Sequence, residues 1–498
     1  MPEPTKHAAT SACVVCCPYK VIPYFLSQYN WTHDNTRPLP GFFVARSCLA
    51  AAIWLRFRAT EHPIGVETQP THGENVDLKL PPPWRRNEKG TTMAEKEKVV
   101  LAYSGGLDTS CCLKWLQVEK NLDVIAICGN VGQDDADLEY IKNKALECGA
   151  IASEAMDMRE EYASEYLTKA LAANGLYENT YPLLSALSRP LLSKHMVEAA
   201  HKYGAKYIAH GCTGKGNDQV RFETAIKALD PKLEILAPVR DWELHTREEE
   251  IDWAAEHGVP VKASKASPYS IDDNVWGRAI ECGALENPWN EPPADIWTLS
   301  VDPENAPNEA EYVEIGFEKG VPCSLNGEEK SFLQIVMDLN VLAGKHGCGR
   351  IDMVENRLVG VKSRECYETP AAEVLIAAHK ALETLCLDRE TQHFKLNLEH
   401  QWSTTVYYGQ WFSPLKNALD AFFAETQKFV TGTVKVKLYK GSCTVAGRMS
   451  DHSLYDYGLA SYTAADTFDH KAAKGFIDLS ALPFAVWAEK QGHEAQDL

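Results

Sequence analysis

The 498-residue sequence lacks any apolar run near the roughly 20 residues that a membrane-spanning helix needs. Its longest candidate, SCLAAAIWLRF at residues 47–57, is too short, and Arg56 interrupts it. The opening MPEPTKHAAT also lacks the basic region and apolar core of a secretory signal. We therefore expect no membrane segment and no cleaved signal.

Basic residues are too few for a nucleic-acid-binding surface. The chain has 50 Lys and Arg against 69 Asp and Glu, a net charge of −19. Residues 1–92 carry ten basic and seven acidic residues, so the remainder holds 40 against 62. Nonspecific nucleic-acid binding depends on neutralising phosphates, which this acidity opposes. Small anions can still bind in locally basic or amide-lined pockets, so we expect small-molecule partners and no nucleic acid.

The cysteines lack the regular spacing of a small disulfide-bonded domain. Of 15 cysteines, 11 follow residue 92. Cys13 and Cys16 have metal-ligand spacing, but no second pair follows at zinc-ribbon distance. We expect reduced thiols, a cytoplasmic protein and no bound metal site.

Residues 1–92 lack a sustained period of 2 or 3.6 and contain CVVCC and PPP runs. Met93 stands where a compact domain would naturally begin. We expect residues 1–92 to be a disordered, dispensable extension or the product of a misassigned start.

The sequence contains neither the P-loop pattern nor the dinucleotide pattern GxGxxG. It has instead VVLAYSGGLDTS at residues 99–110, where apolar strand formers end in two glycines and a helix begins. Such a loop brings several amides and a helix N-terminus toward one point, as anion-binding loops do. Hydroxyls of Ser104, Thr109 and Ser110 add donors, and Asp108 can accept or help hold Mg²⁺. A plain strand-to-helix turn is the alternative for Gly105–Gly106 alone.

Strands and helices alternate from residue 98 onward, which predicts an α/β fold with a parallel sheet covered on both faces. Ligands bind such sheets at the carboxyl ends of the strands. The pattern predicts strands at Lys98–Tyr103, Asp123–Asn130, Lys206–Gly211 and Glu234–Pro238, and helices at Asp108–Glu119, Asp135–Cys148 and Arg189–Tyr203. Thr246 and Glu249 predict a capping box for a further helix that Gly258 ends.

Further chemistry-bearing clusters follow. AHGCTGKGNDQVRFE at residues 209–223 leaves a strand and enters a helix, with Asn217 and Arg221 four residues apart on one face. Others are YPLLSALSRP at 181–190, SPYSIDDNVWGRAIECGALENP at 267–288, and GRIDMVENRLVGVKSRECYETP at 349–370, where the pattern predicts two strands. Taken singly, each also fits core-edge aromatics or solvated charges.

The SGGLDTS loop resembles that of the ATP pyrophosphatase family, whose members cleave ATP between the α- and β-phosphates. With the other clusters, in the same order, the chain from about Met93 onward resembles the argininosuccinate synthases. The resemblance implies ATP-dependent ligation of citrulline to aspartate through a citrullyl-adenylate, in arginine biosynthesis or the urea cycle. It implies an adenine nucleotide α-hydrolase-like domain at 97–262, a mixed α+β synthetase domain at 263–473, and a C-terminal oligomerisation arm at 474–498 in a homotetramer. The alternative for the arm is packing on its own domain.

The resemblance also assigns site residues where the sequences match. For ATP these are Ala102, Tyr103, Ser104, Gly105, Gly106, Leu107, Asp108, Thr109, Ser110, Gly129 and Gly211. For aspartate they are Thr213, Asn217 and Asp218, and for citrulline Tyr181, Asn217, Arg221, Ser270, Glu355 and Tyr367. Asp108, Asn217 and Arg221 are the expected catalytic residues. Two serine positions of the pattern are Ala186, with Ser185 adjacent, and Ala279, so those hydroxyl contacts are absent or come from neighbours.

The implied chemistry needs ATP with Mg²⁺ and no tightly bound cofactor. The enzyme would mainly position reactants and stabilise charge, since no single residue stands out as the general base. Two rival interpretations are a tRNA-modifying ATP pyrophosphatase, which the acidity disfavours, and a nonenzymatic nucleotide-binding relative, which the substrate clusters disfavour.

Overall fold

The structure, a computed structural model, describes residues 95–133, 137–260 and 268–491. The expectations for residues 1–92, for a domain start at Met93 and for Cys13 and Cys16 lie outside these residues. Three further expectations also fall outside the described residues. They concern the junction near residue 263, the first residues of the helix expected from Asp135, and the end of the C-terminal arm. Among the helices of the three described ranges, none is both long and apolar enough to cross a membrane.

A five-stranded parallel sheet forms the first half of the described chain. Its strands are β1 (Lys98–Ala102), β2 (Asp123–Asn130), β3 (Ala152–Asp157), β4 (Tyr207–Ala209) and β5 (Glu234–Leu236). They lie in the order β3-β2-β1-β4-β5, so the winding direction reverses between β1 and β4. Ligands bind at such a switch point, beyond the carboxyl ends of the strands. The α/β prediction is confirmed.

Helices cover both faces of this sheet. They are α1 (Leu107–Val118), α2 (Leu138–Glu147), α3 (Arg159–Glu161), α4 (Thr168–Ala172), α5 (Leu184–Tyr203), α6 (Asp218–Leu229), α7 (Pro238–Asp241) and α8 (Arg247–Glu256). Successive residues of a strand point to opposite faces. Leu101 accordingly packs in one core with Cys111 of α1, whereas Val100 packs in another with Met196 of α5.

The second half contains two antiparallel sheets. One has the order β11-β12-β7-β6, the other β10-β9-β8-β13-β14. The strands are β6 (Ser270–Asn274), β7 (Gly277–Glu281), β8 (Glu311–Glu318), β9 (Val321–Leu325), β10 (Glu328–Glu329), β11 (Arg350–Asn356), β12 (Lys362–Glu368), β13 (Gly432–Tyr439) and β14 (Ser442–Met449). The helices are α9 (Phe332–Lys345), α10 (Pro370–Cys386), α11 (Arg389–Tyr407), α12 (Pro414–Thr426), α13 (Tyr457–Ala460) and α14 (His470–Gln491). This half is the mixed α+β part that the sequence predicts.

One hydrophobic core joins the two halves. It includes Tyr181, which precedes α5, together with Tyr367 of β12 and Trp402 and Tyr407 of α11. The Tyr181 and Tyr367 rings stack with centroids 4.3 Å apart. Residues of both halves are therefore held against each other beside the carboxyl ends of β1 and β4.

Most local predictions match the structure, and the differences have local causes. The capping box of Thr246 and Glu249 is present at the start of α8. The strand expected to reach Pro238 ends at Leu236, since Pro238 begins α7. The strand expected to run to Gly211 ends at Ala209.

The helix expected from Arg189 begins five residues earlier, at Leu184, so that prediction is wrong at its N-terminus. Pro190 lies inside α5, although proline is typical of a first turn. The preceding turns are nevertheless helical, because Leu184 and Leu187 are fully buried and packing outweighs the missing amide.

Helix α14 buries none of its residues against the rest of the described chain. Its exposed apolar side chains include Phe476, Leu479, Phe484 and Trp487. Packing on its own domain, the alternative given above, therefore receives no support. Its assignment as an oligomerisation arm stays a prediction.

Candidate active site

The loop between β1 and α1 is held by its own hydroxyls. Ser104 Oγ lies 3.0 Å from Thr109 Oγ1, and the Gly106 amide donates to Ser104 Oγ at 3.3 Å. Gly105 has a φ of +79°, and a Cβ there would lie 3.2 Å from Ile141 Cγ1. The glycine therefore provides both the backbone conformation and the close packing that the turn requires.

A buried lysine donates a hydrogen bond to the backbone of this loop. Lys144 of α2 is only 8% exposed, and its Nζ donates to the Gly105 carbonyl at 2.6 Å. An ammonium at this position adds positive charge next to a loop suited to anions. Nothing in the SGGLDTS motif itself indicates Lys144, since it lies 39 residues further along.

A cavity of about 550 Å³ opens over this loop. It brings together eight of the predicted ATP-binding residues: Ala102, Tyr103, Ser104, Gly105, Gly106, Thr109, Gly129 and Gly211. Gly129 is in close contact with its neighbours, because a Cβ there would lie 2.6 Å from Leu192 Cδ2 and Met158 Sδ. The cavity has a loop of hydroxyls and glycines at one end and an apolar wall at Leu192 and Phe222, which suits a nucleotide.

Three of the predicted ATP-binding residues do not line the cavity: Leu107, Asp108 and Ser110. Ser110 is buried, and its Oγ donates to the Gly106 carbonyl at 2.7 Å, so it braces the loop from within. Asp108 is exposed and faces Glu250 of α8. Burial, and then the negative charge and hydrogen bond of Asp108, raise the pKa of Glu250 to about 8. A direct catalytic role for Asp108 stays a prediction.

A second cavity of about 280 Å³ adjoins the first. All predicted aspartate- and citrulline-binding residues line it: Tyr181, Thr213, Asn217, Asp218, Arg221, Ser270, Glu355 and Tyr367. They come from the segment before α5, the loop after β4, the start of α6, and strands β6, β11 and β12. The structure thus gathers four separated sequence clusters at one place.

Two cavities this close share a wall. Both are lined by Arg189, Gly211, Cys212, Asp218 and Asp272. Arg189 Nε donates to Asp218 Oδ2 and its Nη2 to Asp272 Oδ2, each at 2.8 Å. A ligand in the loop cavity and one in the second cavity can therefore meet beside this guanidinium.

Asp218 stays ionised in this setting. Its burial favours the neutral form, but Arg189 and Arg221 outweigh that effect and lower its pKa to about 2. Arg221 Nη1 donates to Asp218 Oδ1 at 2.8 Å. Asn217 and Arg221 do share one face of α6 and one cavity, as predicted, but both also contact protein groups.

Glu355, which lines the second cavity, is a buried carboxylate with only 1% of its surface exposed. Tyr367 donates to its Oε2 at 2.7 Å, and Tyr407 donates to its Oε1. Burial and then the neighbouring Glu365 raise the pKa of Glu355 to about 7, against the opposing hydrogen bonds and Arg221. This group can take or release a proton near neutral pH.

Several site residues were not predicted as ligand-binding. In the second cavity these are Ser185, Arg189, Asp272, Glu281, Arg357 and Glu365. Arg189 had a usable signal, because it is a lone charge in the otherwise apolar and small-residue run YPLLSALSRP. Ser185 Oγ donates to Asp272 Oδ2, a contact that spans 87 residues and has no local signature.

The two alanine positions behave differently. Ala279 lines the second cavity, whereas Ala186 is buried in the core and does not. Ser185, next to Ala186, does line it. Ser185 thus offers a hydroxyl next to the Ala186 position. At the Ala279 position the cavity wall carries only a methyl group.

Among the described residues, no group of three or more His, Cys, Asp or Glu side chains is arranged to hold a metal ion. A divalent cation at this site would need oxygen ligands from elsewhere, such as phosphates and water.

Comparison with known proteins gives concordant matches over both halves. Residues 98–260 match the family model of the arginosuccinate synthase N-terminal HUP domain, and residues 269–487 match that of the arginosuccinate synthase C-terminal domain. The chain is 57% identical over 399 residues to an argininosuccinate synthase of Streptococcus gordonii, covering 80% of this chain and 99% of that protein. It is 55% identical over 400 residues to that of Symbiobacterium thermophilum, covering 80% and 100%.

Proposed function

The chain belongs to the argininosuccinate synthase family, and from this premise we propose that it joins citrulline to aspartate with ATP, yielding argininosuccinate, AMP and pyrophosphate. The observation that carries the proposal is the shared wall of the two cavities. A nucleotide over the SGGLDTS loop and an amino acid beside Glu355 would meet at Arg189.

The first step would join citrulline to the nucleotide. The ureido oxygen attacks the α-phosphorus, a bond forms there, and the bond to the β-phosphate oxygen breaks with release of pyrophosphate. Loop amides, the hydroxyls of Ser104 and Thr109, and the ammonium of Lys144 would stabilise the leaving charge. Gly129 and Gly211 would place backbone atoms against the adenosine.

The second step would complete the ligation. The aspartate amine attacks the activated ureido carbon, the carbon–oxygen bond breaks, and AMP leaves with that oxygen. Thr213, Asn217 and Asp218 would hold aspartate, with the Asp218 anion suited to an ammonium. The amine must lose its protons, and the phosphate oxygens are the acceptors that lie nearest in this scheme.

Citrulline would be held by Tyr181, Asn217, Arg221, Ser270, Glu355 and Tyr367. The cavity contains carboxylates and guanidinium groups side by side, which suits the paired charges of an amino acid. Glu355 would take the ammonium, because it is a buried carboxylate that lines this cavity. An ammonium there favours ionised Glu355 and lowers its pKa on binding.

Cofactor and assembly complete the proposal. Mg²⁺ would arrive with ATP as the substrate complex, since phosphate oxygens and water are its usual ligands, and no tightly bound cofactor is required. The exposed apolar residues of α14 support a homotetramer in which this helix covers a neighbouring subunit. The free cysteines of the described chain, such as Cys111 and Cys348, support a cytoplasmic location.

Pyrophosphate release separates the proposal from its rivals. We expect continuous release only when citrulline, aspartate and ATP are all present, with one AMP and one argininosuccinate formed per pyrophosphate. Without aspartate, release should stop at one pyrophosphate per site. Release with tRNA in place of the amino acids would support a tRNA-modifying enzyme, and nucleotide binding without any release would support a nonenzymatic protein. Either result would contradict the proposal.

A further inference from the structure

Tyr407, the last residue of α11, lies between two of the predicted substrate-binding groups. It is fully buried, and its hydroxyl contacts both Asn217 and Glu355. Asn217 Nδ2 donates to the hydroxyl at 2.8 Å, and the hydroxyl donates its single proton to Glu355 Oε1. While Glu355 is ionised, the direction of this chain is fixed, because an amide nitrogen cannot accept and the carboxylate has no proton to donate.

The rest of Tyr407 contacts a third predicted substrate-binding group, Arg221. The Arg221 guanidinium lies 4.9 Å from the Tyr407 ring centroid, and Arg221 Nε donates to the Tyr407 carbonyl at 3.2 Å. The Tyr407 ring also stacks on that of Tyr177, whose centroid lies 3.5 Å away at an interplanar angle of 6°. The ring is thus held in place independently of its hydroxyl.

Helix α11 anchors this side chain from a distance. Lys395 and Glu399 on the same helix form a buried ion pair at 2.7 Å, and Glu399 also accepts from Asn174. Ser403 Oγ accepts from the Leu176 amide at 3.0 Å. At the helix end, a Cβ on Gly409 would lie 2.7 Å from Arg221 Cα, so the chain passes directly against α6.

We propose that Tyr407 is a positioning residue that fixes the Glu355 carboxylate relative to the Asn217 carboxamide, so that the groups proposed to hold citrulline and aspartate act as one unit. The inference rests on the proposed function. Tyr407 lines neither cavity, so it acts through Asn217 and Glu355 and does not touch substrate.

The same hydrogen bond contributes to the ionisation of Glu355. The titratable and charged groups that act on this carboxylate are Glu365 and Tyr367 of β12, Tyr407 of α11, Arg221 of α6, Tyr181 and Tyr177. Burial and then Glu365 raise the pKa of Glu355, whereas the hydrogen bonds of Tyr407 and Tyr367 and the charge of Arg221 lower it. Loss of the Tyr407 proton donor therefore raises the pKa of Glu355 further.

Tyr407→Phe tests this directly, because it keeps the ring, the Tyr177 stack and the carbonyl contact. We expect the KM for citrulline to rise roughly 10- to 100-fold, as for a lost hydrogen bond to a charged group, with the KM for ATP nearly unchanged. The acidic limb of kcat/KM for citrulline should move to higher pH. Tyr166→Phe is the matched control, since Tyr166 is another buried ring of the same core, stacked on Trp411.

An equal rise in KM for all three substrates, or an unmoved acidic limb, would overturn the inference. If Tyr407→Phe does not fold, a 3-fluorotyrosine at position 407 provides a second test of the same hydrogen bond. Its more acidic hydroxyl is a stronger donor, so the limb should move to lower pH, and no movement would overturn the inference. Wild-type enzyme that releases no pyrophosphate would instead overturn the proposed function.

Discussion

Arg189 Nη2 lies 2.8 Å from Asp272 Oδ2, and this ion pair stands where the two cavities of the site meet. Arg189 also binds Asp218, so one guanidinium forms ion pairs with two carboxylates from different elements. A mostly buried charge whose partner is removed costs far more than an exposed one, because water cannot replace the partner.

Arg189→Met should therefore lower the free energy of unfolding by about 3 kcal/mol, measured by urea denaturation. The double variant Arg189→Met, Asp272→Asn should regain part of this loss, since it removes one unpaired carboxylate. Arg159→Met is the control, because its partner Asp157 is 48% exposed and the expected change is at most about 1 kcal/mol. Equal losses for Arg189→Met and Arg159→Met would contradict the argument.

The β1–α1 loop provides a second prediction. Gly105→Val should abolish ATP-dependent pyrophosphate release, because a β-branched residue strains the backbone at a φ of +79° and meets Ile141. Gly204→Val is a matched control. Gly204 has a φ of +65° with open space around it, so it shares the backbone strain without touching the cavity.

Both variants should lose stability by roughly 1–2 kcal/mol, measured by thermal unfolding. Only Gly105→Val should lose activity. Full turnover in the folded Gly105→Val protein would mean that the loop does not bind the phosphates.

The site shows how far a single sequence leads. The loop residues Ser104–Gly106 and the Asn217–Arg221 pair could be predicted, because each belongs to a contiguous motif with a local physical reason. Tyr407 could not, since it contacts Asn217 across 190 residues and lies in an ordinary amphipathic helix.

The strands of the fold likewise differ in how well the sequence predicts them. Strand β1, with a buried centre, was predictable, but edge strand β3 is only partly buried and has a weak pattern.

The ionisation of Glu355 gives a third prediction. Its pKa of about 7 means that kcat/KM for citrulline should rise with pH through that value, by about tenfold per pH unit on the acidic side. The sign follows from the proposed role, since only the ionised carboxylate attracts an ammonium. Glu355→Gln should lower kcat/KM and abolish this limb.

Glu250→Gln is the control, because burial and the neighbouring Asp108 raise the pKa of Glu250 as well. Glu250 lies beside Asp108 at the loop, away from the second cavity, so the citrulline limb should remain in that variant. A limb that disappears with Glu250→Gln and persists with Glu355→Gln would reverse the assignment.

Ala279 gives a fourth prediction. It lines the second cavity opposite Tyr367 in the β7–β12 register, so a hydroxyl added there faces the proposed citrulline site. Ala279→Ser should lower the KM for citrulline by roughly 2- to 10-fold, the effect of one hydrogen bond. Ala186→Ser is the control, because Ala186 is buried in the core. That variant should lose stability and leave the KM unchanged. A higher KM in Ala279→Ser would mean that the methyl group is needed for shape.

The fate of the ureido oxygen gives the last prediction. If the loop of Ser104, Gly105 and Gly106 binds the departing pyrophosphate, the oxygen of citrulline attacks the α-phosphorus and remains on AMP when aspartate displaces it. Citrulline carrying heavy oxygen in its ureido group should thus deliver one label to each AMP, detected by mass spectrometry. Omission of aspartate is the control. Without the amine, the carbon–oxygen bond stays intact and free labelled AMP should not accumulate. If the label appeared in inorganic phosphate and ADP were the product, the ureido oxygen would have attacked the γ-phosphorus. That result would contradict the proposal that the loop after β1 binds pyrophosphate.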